Sequence, residues 1–223
     1  EKARRKKEEE ERKRQEAIET ARRKKEEEEC SILMDQGTTK IVCVGDSTVG
    51  KTCLLLRYTQ NEFSEAYVPT VFDNQNIDVV VDETSVSIEC VDTAGQEGYD
   101  SLRSMSYPGT NVVMICFACD NGDSLSSVEE KWIPELEREF RKINESMPQI
   151  ILAANKSDLV GGEEWDEWRA GANALAVRIG AFNGRIYENS AMEGIGVEEI
   201  FQDAVRAALS AASPNSEGCC NVQ

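Results

Sequence analysis

Residues 112–119, Val-Val-Met-Ile-Cys-Phe-Ala-Cys, contain no polar side chain. This is the longest apolar run in the chain, and it is far short of the roughly twenty residues that cross a bilayer. A strand without alternation must be covered on both faces, as in a mostly parallel sheet flanked by helices. Residues 149–154, Gln-Ile-Ile-Leu-Ala-Ala, and 41–44, Ile-Val-Cys-Val, repeat the pattern. Amphipathic segments are predicted at 51–60, 123–143 and 197–211. Two alternating runs, 75–82 and 85–92, flank Glu83-Thr84 and predict a hairpin. Residues 185–190 predict a last short strand. Repeated β–α units of this kind imply an α/β fold with right-handed crossovers, and ligands on such sheets bind at the carboxyl ends of the strands.

The motifs fall at those ends. Gly45-Asp46-Ser47-Thr48-Val49-Gly50-Lys51-Thr52 fits G-x-x-x-x-G-K-[ST] between a strand and a helix. Glycines let backbone amides wrap phosphates, the lysine reaches the β and γ oxygens, and the threonine hydroxyl ligates Mg2+. Cys53 follows directly. Asp92-Thr93-Ala94-Gly95-Gln96-Glu97 closes the next strand. Asp92 there suits a magnesium ligand acting through water, the Gly95 amide a γ-phosphate contact, and Gln96 the orientation of an attacking water. Asn155-Lys156-Ser157-Asp158 follows the 149–154 strand. The Asp158 carboxylate matches the N1–H and exocyclic amine of guanine, groups that adenine does not offer. Asn155 ties this loop to the phosphate loop, and the Lys156 stem lies along the ring. Ser190-Ala191-Met192 aims the Ala191 amide at guanine O6, with Met192 where lysine usually ends the motif.

These four motifs, in this order, resemble the Ras superfamily of small GTPases across residues 39–211, with the Rho family the nearest match. Tyr67-Val68-Pro69-Thr70-Val71-Phe72-Asp73-Asn74 resembles the Rho switch I and effector loop. Further Rho-like stretches are 98–103 with 106–108, 131–136 and 178–182. The resemblance implies a P-loop NTPase (small GTPase) fold with six mostly parallel strands, a GTP/GDP switch that slowly hydrolyses GTP, and Mg2+. It implies that Gln96, Lys51 and Thr70 carry catalysis and that Thr52, Thr70 and Asp92 hold the metal. Phe63 then supports the guanine edge-on, and Tyr67 lies over the phosphates. Exchange factors, GTPase-activating proteins and effectors are the implied partners, acting through the switch loops.

Outside that region the composition changes. Residues 1–29 hold 12 basic residues and 11 glutamates, and the nine residues 3–11 recur at 21–29. Opposite charges at i and i+4 favour a solvated helix, and 1–34 is read as a charged helical extension. The segment has too few apolar residues for a coiled-coil seam. It acts either as a spacer or as a partner-binding element, and its start at Glu1 rather than Met leaves a missing beginning open. The remaining residues carry a net charge of −18. A body that acidic repels phosphate backbones, so nucleic acid is not an expected partner.

The chain holds no histidine, which excludes His-based triads. Its eight cysteines lack regular spacing, as expected of reduced thiols. Cys116 and Cys119 form a C-x-x-C inside the apolar run and are read as core packing. The tail, 212–223, ends Cys219-Cys220-Asn221-Val222-Gln223. Cys220 fits a C-a-a-X prenylation site with farnesyl favoured, and Cys219 is either a palmitoylated second signal or a plain thiol. This places the expected protein on the cytoplasmic face of a membrane, with a cytosolic pool.

Three features depart from the resemblance. Ser47 stands where most Rho and Ras proteins have glycine, near the space an arginine finger enters. That finger contributes on the order of 10³ to 10⁵ in rate, so either the protein cycles or it is a largely GTP-locked scaffold. Val91 replaces a typical tryptophan. Residues 160–177 are shorter than the usual Rho insert, and Trp165 with Trp168 forms either a partner site or the packing face of a helix.

Overall fold

The computed structural model describes residues 38–64 and 72–212. The charged extension, Tyr67 to Val71 and the tail with Cys219 and Cys220 lie outside the described residues. The six strands are β1 (Thr39–Gly45), β2 (Phe72–Val81), β3 (Thr84–Thr93), β4 (Val112–Ala118), β5 (Gln149–Asn155) and β6 (Ile186–Asn189). They form one sheet in the order β2-β3-β1-β4-β5-β6. All pairings are parallel except β2 with β3.

The unbroken apolar strands do what their composition requires. Ile41, Cys43, Met114 and Cys116 point to one face and pack under α1 (Lys51–Gln60) and α6 (Val197–Ala212). Val42, Val44, Val113, Ile115 and Phe117 point to the other. That second face is covered by α4 (Ile133–Ile143) and α5 (Glu163–Arg178). Period-two alternation thus feeds two cores, one on each side of the sheet. On α6, Val197, Ile200, Phe201, Ala204, Val205 and Ala208 form the buried stripe expected of period 3.6.

Two details differ from the sequence reading. The hairpin turns at Asp82-Glu83, with φ of 49° and 65°, one residue before the predicted pair. Both left-handed settings match the twist of a two-residue hairpin turn. The predicted single helix over 123–143 is α3 (Gly122–Ser127), a π-helical turn (Val128–Trp132) and α4. Asn121 caps α3, accepting from the amides of Asp123 and Ser124. A π-turn closes its hydrogen bonds over i→i+5, one residue further than an α-helix, and so re-aims the side chain at its end. Here that side chain is Trp132.

The C-x-x-C is packing. Cys116 is buried and Cys119 half-buried, both as free thiols. Burial, followed by the field of Glu188, pushes the Cys119 thiol up to about 12. Residues 160–177 contribute α5, in which Trp165 is 7% exposed and Trp168 42%. Trp165 donates from Nε1 to Glu188 at 3.2 Å, and the Trp168 ring lies against Gly122. Trp165 therefore packs as a helix face does, and half of Trp168 does too. Among the described residues no helix is long and apolar enough to cross a membrane.

Candidate functional site

At the carboxyl ends of the parallel strands lies a cleft of about 500 Å³. Ser47, Thr48, Gly50, Lys51, Thr52 and Cys53 line it from the loop after β1 and the first turn of α1. Gly95 and Gln96 line it from beyond β3, Asn155 from the end of β5, and Lys156 and Asp158 from the loop after it. Ala191 and Met192, after β6, and Phe63, after α1, also line it. Four motifs spread over about 150 residues meet because parallel strands end on one side of a sheet.

Five predicted residues sit behind this lining. Val49 and Ser190 are buried. Gly45 touches β4: a β-carbon there would sit 2.2 Å from the Cys116 carbonyl oxygen. Asp46 turns outward and accepts from Trp132 Nε1 at 3.0 Å. Asp92, buried, accepts from the Thr52 hydroxyl at 2.5 Å. Of the expected effector loop, only residues 72–74 are described, as the start of β2. The cleft also includes Thr93 and Ala94 of the 92–97 motif, and Leu56, Ser64 and Leu159, which no motif marked.

The loop geometry suits an anion. Gly50 at φ 95° begins α1, whose first turn carries no acidic residue and whose N-cap has no side-chain bond. Its amides and the helix dipole therefore favour negative charge. Thr48 holds φ 64°, a costly setting for a β-branched residue. Such strain clusters at ligand-binding loops. Lys51 is nearly buried and donates to the carbonyls of Gly45 at 2.8 Å and Asp46 at 2.7 Å. Burial lowers its pKa, so a negative partner nearby would stabilise its charged form. Gly95 passes so close to the loop that a β-carbon would sit 2.4 Å from the Gly45 carbonyl oxygen.

On the other side of the cleft, Asn155 donates from Nδ2 to the Val49 carbonyl at 2.9 Å, joining the two loops as expected. Asn189 Nδ2 in turn donates to Asn155 Oδ1 at 2.8 Å. Lys156 Nζ lies 3.5 Å from Asp120.

A second, buried network joins side chains whose pairing the sequence did not show. Arg103, at the end of α2 (Asp100–Arg103), donates from Nε and Nη2 to Glu135 at 2.6 and 2.8 Å, from Nη2 also to Asp100 at 2.6 Å, and from Nη1 to the Ala94 carbonyl at 2.7 Å. The Tyr107 hydroxyl donates to the same carboxylate at 2.6 Å. The Arg103 guanidinium also lies 4.8 Å from the Trp132 ring centre. Trp132 thus links the Gln96 segment to Asp46 of the phosphate loop. These side chains lie in the stretches 98–103, 106–108 and 131–136, but Glu135 is 32 positions from Arg103 and 28 from Tyr107, so only the fold shows that they pair.

The Ras family model matches residues 40–210. The chain belongs to the Ras family. It is similar to the Rho-related GTP-binding protein RhoB of Homo sapiens and of Mus musculus, each 43% identical over 192 residues. Those matches cover 82% of this chain and 94% of each relative. The chain is therefore a small GTPase of the Ras superfamily, close to the Rho group. In this Ras family member the arrangement of phosphate loop, acidic strand end and base-side loops occupies the region the family model spans.

Proposed function

We propose that this GTPase is a switch that binds GTP and GDP in the cleft, hydrolyses GTP slowly and docks effectors in the GTP state. The observation that carries the reading is the meeting of Lys51, Thr52, Gln96 and Asp158 in one cleft at the strand ends. Amides of residues 47–52 and the Lys51 ammonium hold the phosphates. Asp158 accepts from guanine N1–H and the exocyclic amine, the Ala191 amide donates to O6, and Phe63 and the Lys156 stem flank the ring.

The pairing of the Thr52 hydroxyl with the buried Asp92 carboxylate suits a hard cation with oxygen ligands. Thr52 and Asp92, together with Thr70, would hold Mg2+. When bound, that ion neutralises charge on the phosphate oxygens. Gln96 orients a water whose oxygen forms the new bond to the γ-phosphorus, while the bond to the bridging oxygen breaks and GDP leaves. No side chain forms a covalent bond, so rate depends on position and charge. The Tyr67–Asn74 segment is the proposed effector loop. Prenylation at Cys220, with palmitoylation at Cys219, is the proposed membrane anchor, supported by the C-a-a-X sequence. A Cys220→Ser chain that still partitions with membranes would remove that anchor.

A second reading has Ser47 disable assisted hydrolysis, and the position of Ser47 in the same cleft as Gly95 and Gln96 favours it. Single-turnover hydrolysis, with and without a Rho-type GTPase-activating protein, separates the two. A native chain that is slow alone and strongly accelerated is a cycling switch. Acceleration confined to Ser47→Gly would identify a GTP-locked scaffold. No hydrolysis or nucleotide binding in either form would remove both readings.

A further inference from the structure

Arg57, in the second turn of α1, reaches away from the phosphate loop and makes bonds in two directions. Its Nε donates to the Ala191 carbonyl at 2.5 Å, and Nη2 donates to the Met192 carbonyl at 2.7 Å. Its Nη1 donates to the carbonyl and Oδ1 of Asn61, at 3.3 and 3.2 Å. Asn61 ends α1 in a left-handed turn (φ 54°), and Phe63 follows two residues later. Ala191, Met192 and Phe63 all line the base end of the cleft.

One guanidinium therefore joins three stretches of backbone: the helix carrying Lys51 and Thr52, the turn leading to Phe63, and the loop after β6. That loop closes on itself. The Ser190 amide donates to Ile195 O at 2.9 Å, the Gly194 amide to Ser190 O at 2.7 Å, and the Glu193 amide to Ser190 Oγ at 3.0 Å. These bonds hold its shape and leave its placement against α1 to other contacts. Arg57 supplies that placement. A planar fork with five donors can serve two successive carbonyls and a third acceptor together, whereas a lysine ammonium acts as a single point. Charged donors also make the stronger class of hydrogen bond.

We propose that Arg57 is a positioning residue for nucleotide retention: it holds the Ala191 amide against the 6-oxo group of the purine and couples that wall to the Phe63 side. Nucleotide release then requires the Arg57 bonds to open. The proposal rests on the reading of the cleft as the guanine site.

The test is dissociation of a fluorescent GDP from the full chain with Mg2+, for native, Arg57→Ala, Arg57→Lys and Arg57→Gln forms. It is repeated with the 2-aminopurine riboside diphosphate, which keeps the 2-amino group and lacks both the 6-oxo oxygen and the N1–H, so each variant is compared with the native chain on the same nucleotide. Arg57→Ala is expected to release GDP about tenfold faster, as for one lost hydrogen bond to a charged group. The lysine and glutamine forms should fall between, and release of the 2-aminopurine nucleotide should change little. Should the alanine form not fold, the glutamine form, which keeps an amide donor, carries the same comparison. GDP release at the native rate, or equal acceleration of both nucleotides, would overturn the proposal and leave Arg57 a structural tie. A native chain that holds both nucleotides equally would overturn the Ala191–O6 contact, and the role of Arg57 with it. In that case Asp158→Asn still reports separately on whether the cleft binds guanine.

Discussion

The Arg103 guanidinium and the Glu135 carboxylate face each other as a buried bidentate pair, Nε to Oε1 at 2.6 Å and Nη2 to Oε2 at 2.8 Å. Burial, the largest single effect, works against the Arg103 charge, and the hydrogen bond and charge of Glu135, the field of Tyr107 and the Asp100 bond together outweigh it and raise its pKa. The same carboxylate raises the Tyr107 pKa, after the larger effect of burial. Removing Glu135 takes the bidentate partner from a buried cation that keeps only the Asp100 carboxylate, at 2.6 Å, and the Ala94 carbonyl, and it strands the buried Tyr107 hydroxyl. Glu135→Ala should therefore cost about 3–5 kcal/mol of stability, read as a lower urea midpoint with unchanged slope.

Trp132 carries that network to the phosphate loop through its bond to Asp46. Trp132→Phe keeps one aromatic ring, removes the donor and leaves space where the fully buried indole stood. The expected loss is about 1–2 kcal/mol, or a fall of roughly 2–8 °C in melting temperature. Lys131, 3.8 Å from Asp46, moderates the effect. An unchanged melting temperature would show that the indole bond contributes nothing.

Asp158→Asn replaces an acceptor oxygen with an amide donor opposite the two donors of guanine. GDP affinity should fall by about 10² or more. Xanthosine diphosphate, with a carbonyl in place of the exocyclic amine, should gain. Titration of the nucleotide-free variant with both diphosphates checks the exchange, and equal loss for both would remove Asp158 from base recognition.

On the far side of the sheet, Asp203 accepts from Tyr187 at 2.7 Å, Arg185 at 3.2 Å and Arg206 at 2.7 Å. Burial alone would raise its pKa, but these bonds outweigh burial and hold it below the usual value. A depressed carboxylate contributes stability above its unfolded pKa of about 3.9, and that stability is lost as pH falls through the folded value. Asp203→Asn should cost about 1–3 kcal/mol at pH 7. The gap between native and variant should narrow below about pH 4, as followed by urea denaturation at each pH.

Several of these groups were legible in the sequence and several were not. Lys51, Thr52, Asp92, Asn155 and Asp158 each sit in a short motif after an apolar strand, where residue type and spacing carry the chemistry. Arg57 and Glu135 sit in helices, Arg103 ends a four-residue helix and Trp132 ends the π-turn, with no local pattern that names their partners. Their roles depend on partners 134, 32 and 86 positions away, which no window of sequence contains. The π-turn was missed because its apolar period differs little from that of the helices around it.

What the sequence determined by itself was the layering and the chemistry. Unbroken apolar strands demand cover on both faces, and phosphate-loop, acidic and base-side motifs at strand ends follow from residue type alone. Only the tertiary structure decided which charges are buried and whom they meet. The free energy of a buried ion pair or a shared guanidinium depends on distances between segments that chain order leaves undefined. Arg57 illustrates this: as a sequence position it is one basic residue on a helix, and in the fold it joins the two walls of the cleft.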